Sequence, residues 1–102
     1  MKILALFFMD QIVHQMEKRE YKVYILFSAQ LDKYYTGMTS QTITERLANH
    51  LKNHSGFTGQ SKDWKCVYFE NFKNINDAAI KEKYIKQRGA KRYISDEMEN
   101  KS

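Results

Sequence analysis

Tyr21-Lys22-Val23-Tyr24-Ile25-Leu26-Phe27 and Lys33-Tyr34-Tyr35-Thr36-Gly37-Met38-Thr39 stand five residues apart and decide the fold. In the first stretch Tyr21, Val23, Ile25 and Phe27 share one face, while Lys22, Tyr24, Leu26 and Ser28 share the other. That period of two is the mark of a β-strand. The short polar link Ser28-Ala29-Gln30-Leu31-Asp32 returns the chain into the second stretch, so the pair reads as an antiparallel hairpin. Gly37, near its end, permits a bulge or a close approach of backbone to a side chain.

Downstream of the hairpin the periodicity changes to that of a helix. Thr42-Ile43-Thr44-Glu45 has the spacing of a capping box and opens a helix expected over Ile43 to Asn53. Its buried stripe is Ile43, Leu47 and Leu51, with Arg46 and His50 on the adjoining flank. Ser55 to Lys62 reads as a loop, and Trp64 to Phe72 as a third strand. Asn74 or Asn76 caps a second helix that extends to about Gln87, Gly89 breaks it, and a last helix covers Ala90 to Glu97. The expected class is α+β: a small three-stranded antiparallel sheet flanked by helices, in the order β-β-α-β-α-α. Residues 21–95 form the domain, 96–102 a charged tail and 1–20 a helical or accessory N-terminal extension.

The totals narrow the partners. With 102 residues the chain holds one domain. The formal net charge is +5, and residues 1–20 contribute none of it, because Lys2, Lys18 and Arg19 cancel Asp10, Glu17 and Glu20. A basic domain of this size suits a polyanion such as nucleic acid, although many basic domains have no such partner. The single cysteine, Cys66, excludes an internal disulfide and reads as a buried thiol in a strand. The apolar run Ile3 to Met9 is too short to cross a bilayer and lacks a cleavage site after it. It is a helix docked on the domain, a self-association segment or an upstream extension ahead of a start at Met9 or Met16. No membrane partner and a cytoplasmic location are expected.

Five polar groups carry the chemistry. Glu82 falls on the stripe Ile75, Ala78, Glu82, Ile85, where an ionised carboxylate is costly without compensation. A divalent cation such as Mg²⁺ compensates it; so does pairing with Lys81, Lys83 or Lys86 at the edge of the stripe. Arg46 and His50 stand four apart and share a face. The guanidinium matches phosphate oxygens, and the imidazole suits proton transfer or the orienting of a tyrosine. By itself, His50 reads as an exposed helix residue; the His50/His54 pair lacks a third zinc ligand. Tyr24 and Tyr35 project from neighbouring strands, either as reactive phenols beside Arg46 or as core aromatics. Two phenols, a guanidinium, an imidazole and a carboxylate are the parts needed to hydrolyse a phosphodiester with one divalent metal ion. Lys81, Lys83, Lys86, Arg88, Lys91 and Arg92 form a basic run that follows a phosphate backbone or simply faces solvent.

In that order these segments resemble the GIY-YIG nuclease family, in its small single-domain members, over about residues 21–94. Residues 22–24 and 35–37 stand in the places of the two triplets. Arg46-Leu47-Ala48-Asn49-His50 matches the R-x-x-x-H helix, Trp64-Lys65-Cys66-Val67-Tyr68 the W-x-L-V-Y strand, and Ala78-Ala79-Ile80-Lys81-Glu82 the A-x-x-x-E helix. Lys22 replaces the first glycine and Thr36 an aliphatic residue, and the asparagine of excinuclease-type members is absent. The resemblance implies Mg²⁺- or Mn²⁺-dependent cleavage of DNA or, less often, RNA, and the expected activity is that of a structure-selective or weakly specific DNA endonuclease in repair or recombination. By similarity Tyr24 activates or orients water, Tyr35 contacts water or phosphate, Arg46 stabilises the pentavalent phosphorus, and Glu82 ligates the metal; His50 joins them as a catalytic candidate on its own chemistry. Gly37, Lys62, Lys65, Lys86, Arg88, Lys91 and Arg92 are the candidate contacts to nucleic acid. Two rivals stand beside this expectation: a non-catalytic nucleic-acid-binding module using the same basic surface, and an interaction protein associating through Ile3 to Met9.

Overall fold

The computed structural model describes residues 20–52 and 56–101, apart from the Lys101 side chain. The expected N-terminal extension, Ile3 to Met9 within it, Asn53 and His54 lie outside the described residues. Strands β1 (Tyr21–Ser28), β2 (Lys33–Thr39) and β3 (Lys65–Phe72) form one antiparallel sheet in the order β2-β1-β3. Helix α1 (Ile43–Lys52) and a 3₁₀ turn (Thr58–Gln60) lie between β2 and β3, and α2 (Ile75–Arg88) and α3 (Ala90–Lys101) follow. The α+β order expected from sequence is the order observed. Helix α3 runs on to Lys101, past the expected end at Glu97.

β1 is the middle strand and is covered on both faces, so Val23, Tyr24, Ile25 and Leu26 are all buried. One face sets Val23 and Ile25 against Ala78, Ile85 and Tyr93 from the last two helices. The other sets Tyr24 and Leu26 against Trp64, with Ile43, Leu47 and Leu51 of α1 packed over them. The apolar stripe of α1 thus seats that helix, and the polar flank beside the stripe is carried onto Tyr24. The register places Tyr24 opposite Gly37 on β2 and Phe69 on β3. The one irregularity in pairing is between β1 and β3 at Ile25/Leu26, away from Gly37.

The capping signals act locally. The Glu45 backbone N–H donates to the Thr42 hydroxyl (3.2 Å), which donates to the Glu45 carboxylate (3.0 Å) and so ties off the start of α1. The Asn74 side chain accepts the Asn76 N–H (2.7 Å) at the start of α2. Gly89 has φ 90°, a conformation that favours glycine, and its N–H closes on the Ile85 carbonyl (2.8 Å) before the chain turns into α3. Two details differ from the sequence reading. Trp64 precedes β3 and fills the α1-side core, 2% exposed, with its indole N–H donating to the Thr58 carbonyl (2.9 Å). Ile75 is 48% exposed, because the first turn of α2 overhangs the sheet and buries nothing until Ala78.

A carboxylate ties the β1–β2 turn to the loop before β3. The Ser28 and Ser61 hydroxyls donate to Asp63 Oδ1, and the Gln30 backbone N–H donates to Oδ2 (2.8 Å). These donors, Ser28 first, hold the Asp63 carboxyl down to about 2. A carboxyl depressed on folding stabilises the fold above its unfolded value of about 3.9, and that contribution disappears as pH falls towards the folded value. The thermal midpoint is therefore expected to drop between about pH 4 and pH 2. Asp63→Asn should lower the midpoint at neutral pH and flatten that acid limb, as read by circular dichroism melts. An acid limb as steep in the variant as in the parent would remove Asp63 as its source.

Candidate active site

Alternation along β1 directs the Tyr24 side chain to the α1 face, where its ring lies against the backbone of β2. A side chain on Gly37 would not fit there: a Cβ would stand 2.5 Å from Tyr24 Oη, 2.7 Å from its Cζ and 3.0 Å from Tyr35 Cε1. The i, i+4 pair on α1 meets the phenol. Arg46 Nε donates to Tyr24 Oη at 3.1 Å, and His50 Nε2 shares a 2.7 Å hydrogen bond with the same oxygen. On its other side His50 Nδ1 lies 3.0 Å from Thr58 Oγ1. Tyr35, two residue pairs along the sheet, sets its ring 6.3 Å from that of Tyr24 and edge-on to His50 at 5.0 Å, and Phe57 stacks on Tyr35 at 6.1 Å.

His50 is 5% exposed. This corrects its reading as an exposed helix residue: the 3₁₀ turn folds over the flank of α1 and buries the imidazole between Tyr24 and Thr58. Burial, with the charge of Arg46 behind it, lowers the His50 pKa, so the ring is neutral at pH 7. Burial also raises the Tyr24 pKa, against the bond and charge of Arg46, which pull it down. The bond to Tyr24 raises Arg46 in turn. The negative charge of Glu82 is felt at Tyr24 as well, so the carboxylate of α2 belongs to the same electrostatic neighbourhood.

Glu82 lies between buried Ala78 and Ile85 but is itself half-buried, and its Oε2 is 3.5 Å from Lys86 Nζ in an i, i+4 pair. The expected cost of a carboxylate sunk in the core is thus relieved by exposure and by that lysine. The chain holds no group of three or more His, Cys, Asp or Glu side chains set for a metal among the described residues. A structural zinc centre needs four such ligands. One accessible carboxylate is instead what Mg²⁺ uses when water and phosphate oxygens fill the rest of its shell, so Glu82 fits that ion.

The nucleic-acid candidates divide. Gly37 is buried under Tyr24 and serves the packing of that ring. Lys62 donates to the Leu51 carbonyl at 2.7 Å, Lys86 pairs with Glu82, and Arg88 makes a two-point contact with Asp96 (2.8 and 3.0 Å). Lys65, Lys91 and Arg92 are exposed. Sequence reasoning passed over Thr58: a buried Trp needs a polar partner, but the buried His that also needs one could not be foreseen. The loop between α1 and β3 supplies both.

The three-stranded antiparallel sheet thus carries two tyrosines, with an Arg/His helix on one face and a glutamate helix on the other. Residues 20–94 match the family model of the GIY-YIG catalytic domain. The chain belongs to the GIY-YIG family, whose members are nucleases that generally depend on a divalent metal. No curated protein and no solved structure gives a significant match. Among the described residues no helix is long and apolar enough to cross a membrane.

Proposed function

We propose that this chain is a metal-dependent endonuclease that hydrolyses phosphodiester bonds in DNA, acting on branched or single-stranded substrates through Tyr24, Tyr35, Arg46, His50 and Glu82. The observation that carries the reading is the Tyr24 hydroxyl held between Arg46 Nε and His50 Nε2.

A phenol is a weak base until it is deprotonated. Neutral His50 receives the Tyr24 proton at Nε2 in the same step in which Oη draws one from the attacking water, so the raised phenol need not ionise beforehand, and the Arg46 guanidinium offsets the charge on Oη. In that step the water oxygen bonds to phosphorus and the bond from phosphorus to a sugar oxygen breaks; the leaving oxygen takes its proton from solvent, and His50 returns its extra proton to solvent afterwards. Arg46 gives Nε to Tyr24, and Tyr35 also draws on the guanidinium; its remaining N–H donors suit phosphate oxygens. Tyr35, packed on His50, lines the same place and orients water or phosphate. Glu82 would hold a Mg²⁺ or Mn²⁺ ion, which when bound neutralises charge growing on the phosphate.

The test is nicking of branched and single-stranded oligonucleotides with Mg²⁺ or Mn²⁺. Cleavage that EDTA abolishes is expected. Salt-dependent binding without cleavage of any substrate would instead select a binding module.

Exposed Lys91 and Arg92 are proposed to follow the phosphate backbone. Replacing both by Ala should reduce the slope of log affinity against log salt by about 2 and weaken binding alike for all sequences. The single-turnover rate at saturating protein should stay at the parent value. An unchanged salt slope would remove these two residues from the interface.

A further inference from the structure

Thr58 lies outside the five groups assigned above, is 3% exposed, and offers its hydroxyl to the one nitrogen of His50 that Tyr24 does not use. We propose that Thr58 is a positioning residue of the nuclease site: its Oγ1 accepts the His50 Nδ1 proton and so fixes the tautomer whose Nε2 lone pair receives the proton of Tyr24. This rests on the nuclease reading for its purpose, though not for its geometry.

The hydrogen bonds around Tyr24 Oη decide between the two tautomers. A guanidinium nitrogen only donates, so Oη accepts from Arg46 Nε. The remaining partner of Oη is His50 Nε2, and Tyr24 is 1% exposed, so in the substrate-free fold Nε2 is the acceptor at hand for the phenol proton. With the proton on Nδ1, Tyr24 donates to Nε2 and the Nδ1–H donates to Thr58, so both ring nitrogens and the phenol are satisfied. With the proton on Nε2, Oη would receive two donors and its own proton would lose the imidazole as acceptor. Buried polar groups rarely stay in such a state. The first tautomer is also the useful one, because an unprotonated Nε2 is the base that the mechanism needs; the group bonded to the other nitrogen generally sets which nitrogen is free.

The fold holds Thr58 from several sides. Its residue opens the 3₁₀ turn, where the Gln60 N–H reaches the Phe57 carbonyl (3.3 Å). Its own carbonyl accepts the Trp64 indole N–H (2.9 Å). A few residues on, Ser61 is fastened through Asp63 to Ser28 of β1. The hydroxyl is thereby carried on a clamped turn, and its side chain rather than its backbone faces the imidazole.

The experiment reads the tautomer directly by two-bond ¹H–¹⁵N correlation on histidine-labelled full-length protein without DNA or metal, and pairs it with single-turnover nicking. The parent His50 is expected in the Nδ1–H form. Thr58→Val keeps shape and β-branching but removes the hydroxyl; it should lose that tautomer preference and cleave about 10- to 100-fold more slowly, by analogy with the loss of a partner that orients a metal-bound histidine. DNA affinity should change by less than about twofold, and Thr58→Ser should restore both spectrum and rate. An Nε2–H form in the parent would overturn the proposal, as would a Val variant that loses the tautomer yet cleaves at the parent rate, or slows while keeping it. The parent spectrum and Thr58→Ser decide the matter even should the Val variant fail to fold. A parent protein that cleaves nothing would sink the nuclease reading, whereas the wrong tautomer would sink this one.

Discussion

Glu82→Gln is expected to slow single-turnover nicking by about 10³-fold at saturating Mg²⁺ while leaving DNA affinity within about twofold. A catalytic metal supplies several kcal/mol to the transition state, and each 1.36 kcal/mol is a factor of ten, so loss of about 4 kcal/mol gives that figure. The amide keeps the size of the side chain but not the charge that attracts a divalent cation. Its other role is small: the bond to Lys86 is an i, i+4 surface pair, of a kind worth about 0.3–0.5 kcal/mol, so the fold should survive. The change of charge reaches Tyr24 too, because the carboxylate raises the phenol pKa. Lys86→Ala is the matching control: it breaks the same ion pair and should leave the rate near the parent value. Equal loss in the two variants would assign the effect to the ion pair and away from the metal.

Gly37→Ala should cost both rate and stability. The new methyl would stand 2.5 Å from Tyr24 Oη and 2.7 Å from Cζ, well inside contact distance. The phenol cannot swing aside freely, since Arg46 and His50 hold its oxygen and the sheet and α1 enclose its ring. Overpacking of this kind costs about 1–3 kcal/mol, and a displacement of about 1 Å at a reacting group costs about 10²-fold in rate. The requirement is one of space, because Gly37 is not among the glycines with positive φ. Thermal melts together with single-turnover rates measure both effects; a variant that melts and cleaves like the parent would show that the Tyr24 ring has room that the distances deny.

The strands and helices were legible because each carries its own period. Alternation over Tyr21–Phe27, the Thr42/Glu45 cap and the Asn74 cap are local signals, and local physics answered them. Arg46 and Tyr24 could be brought together on paper, since one helix flank and one strand face were all that was needed. His50 could not be read as buried, because what covers it is a loop whose path no periodicity encodes. Thr58 was invisible for the same reason: it is an ordinary hydroxyl in a polar stretch until Trp64 and the Asp63 ties fold that stretch over α1. Ile75 erred in the other direction. Its spacing from Ala78 is right for the buried face, yet the helix begins before it reaches the sheet, and the end of an element is where spacing carries least information.

A single site acting on one phosphate makes a demand that separate contributions would not meet. Single-turnover nicking rates for the parent, Arg46→Ala, Glu82→Gln and the double variant, on one branched oligonucleotide with saturating Mg²⁺, form a closed cycle. Groups that serve the same transition state are strongly non-additive. The double variant is therefore expected to be about as slow as the slower single one. Losses that multiply, or a single variant that cleaves like the parent, would contradict the convergence of α1 and α2 on one phosphodiester.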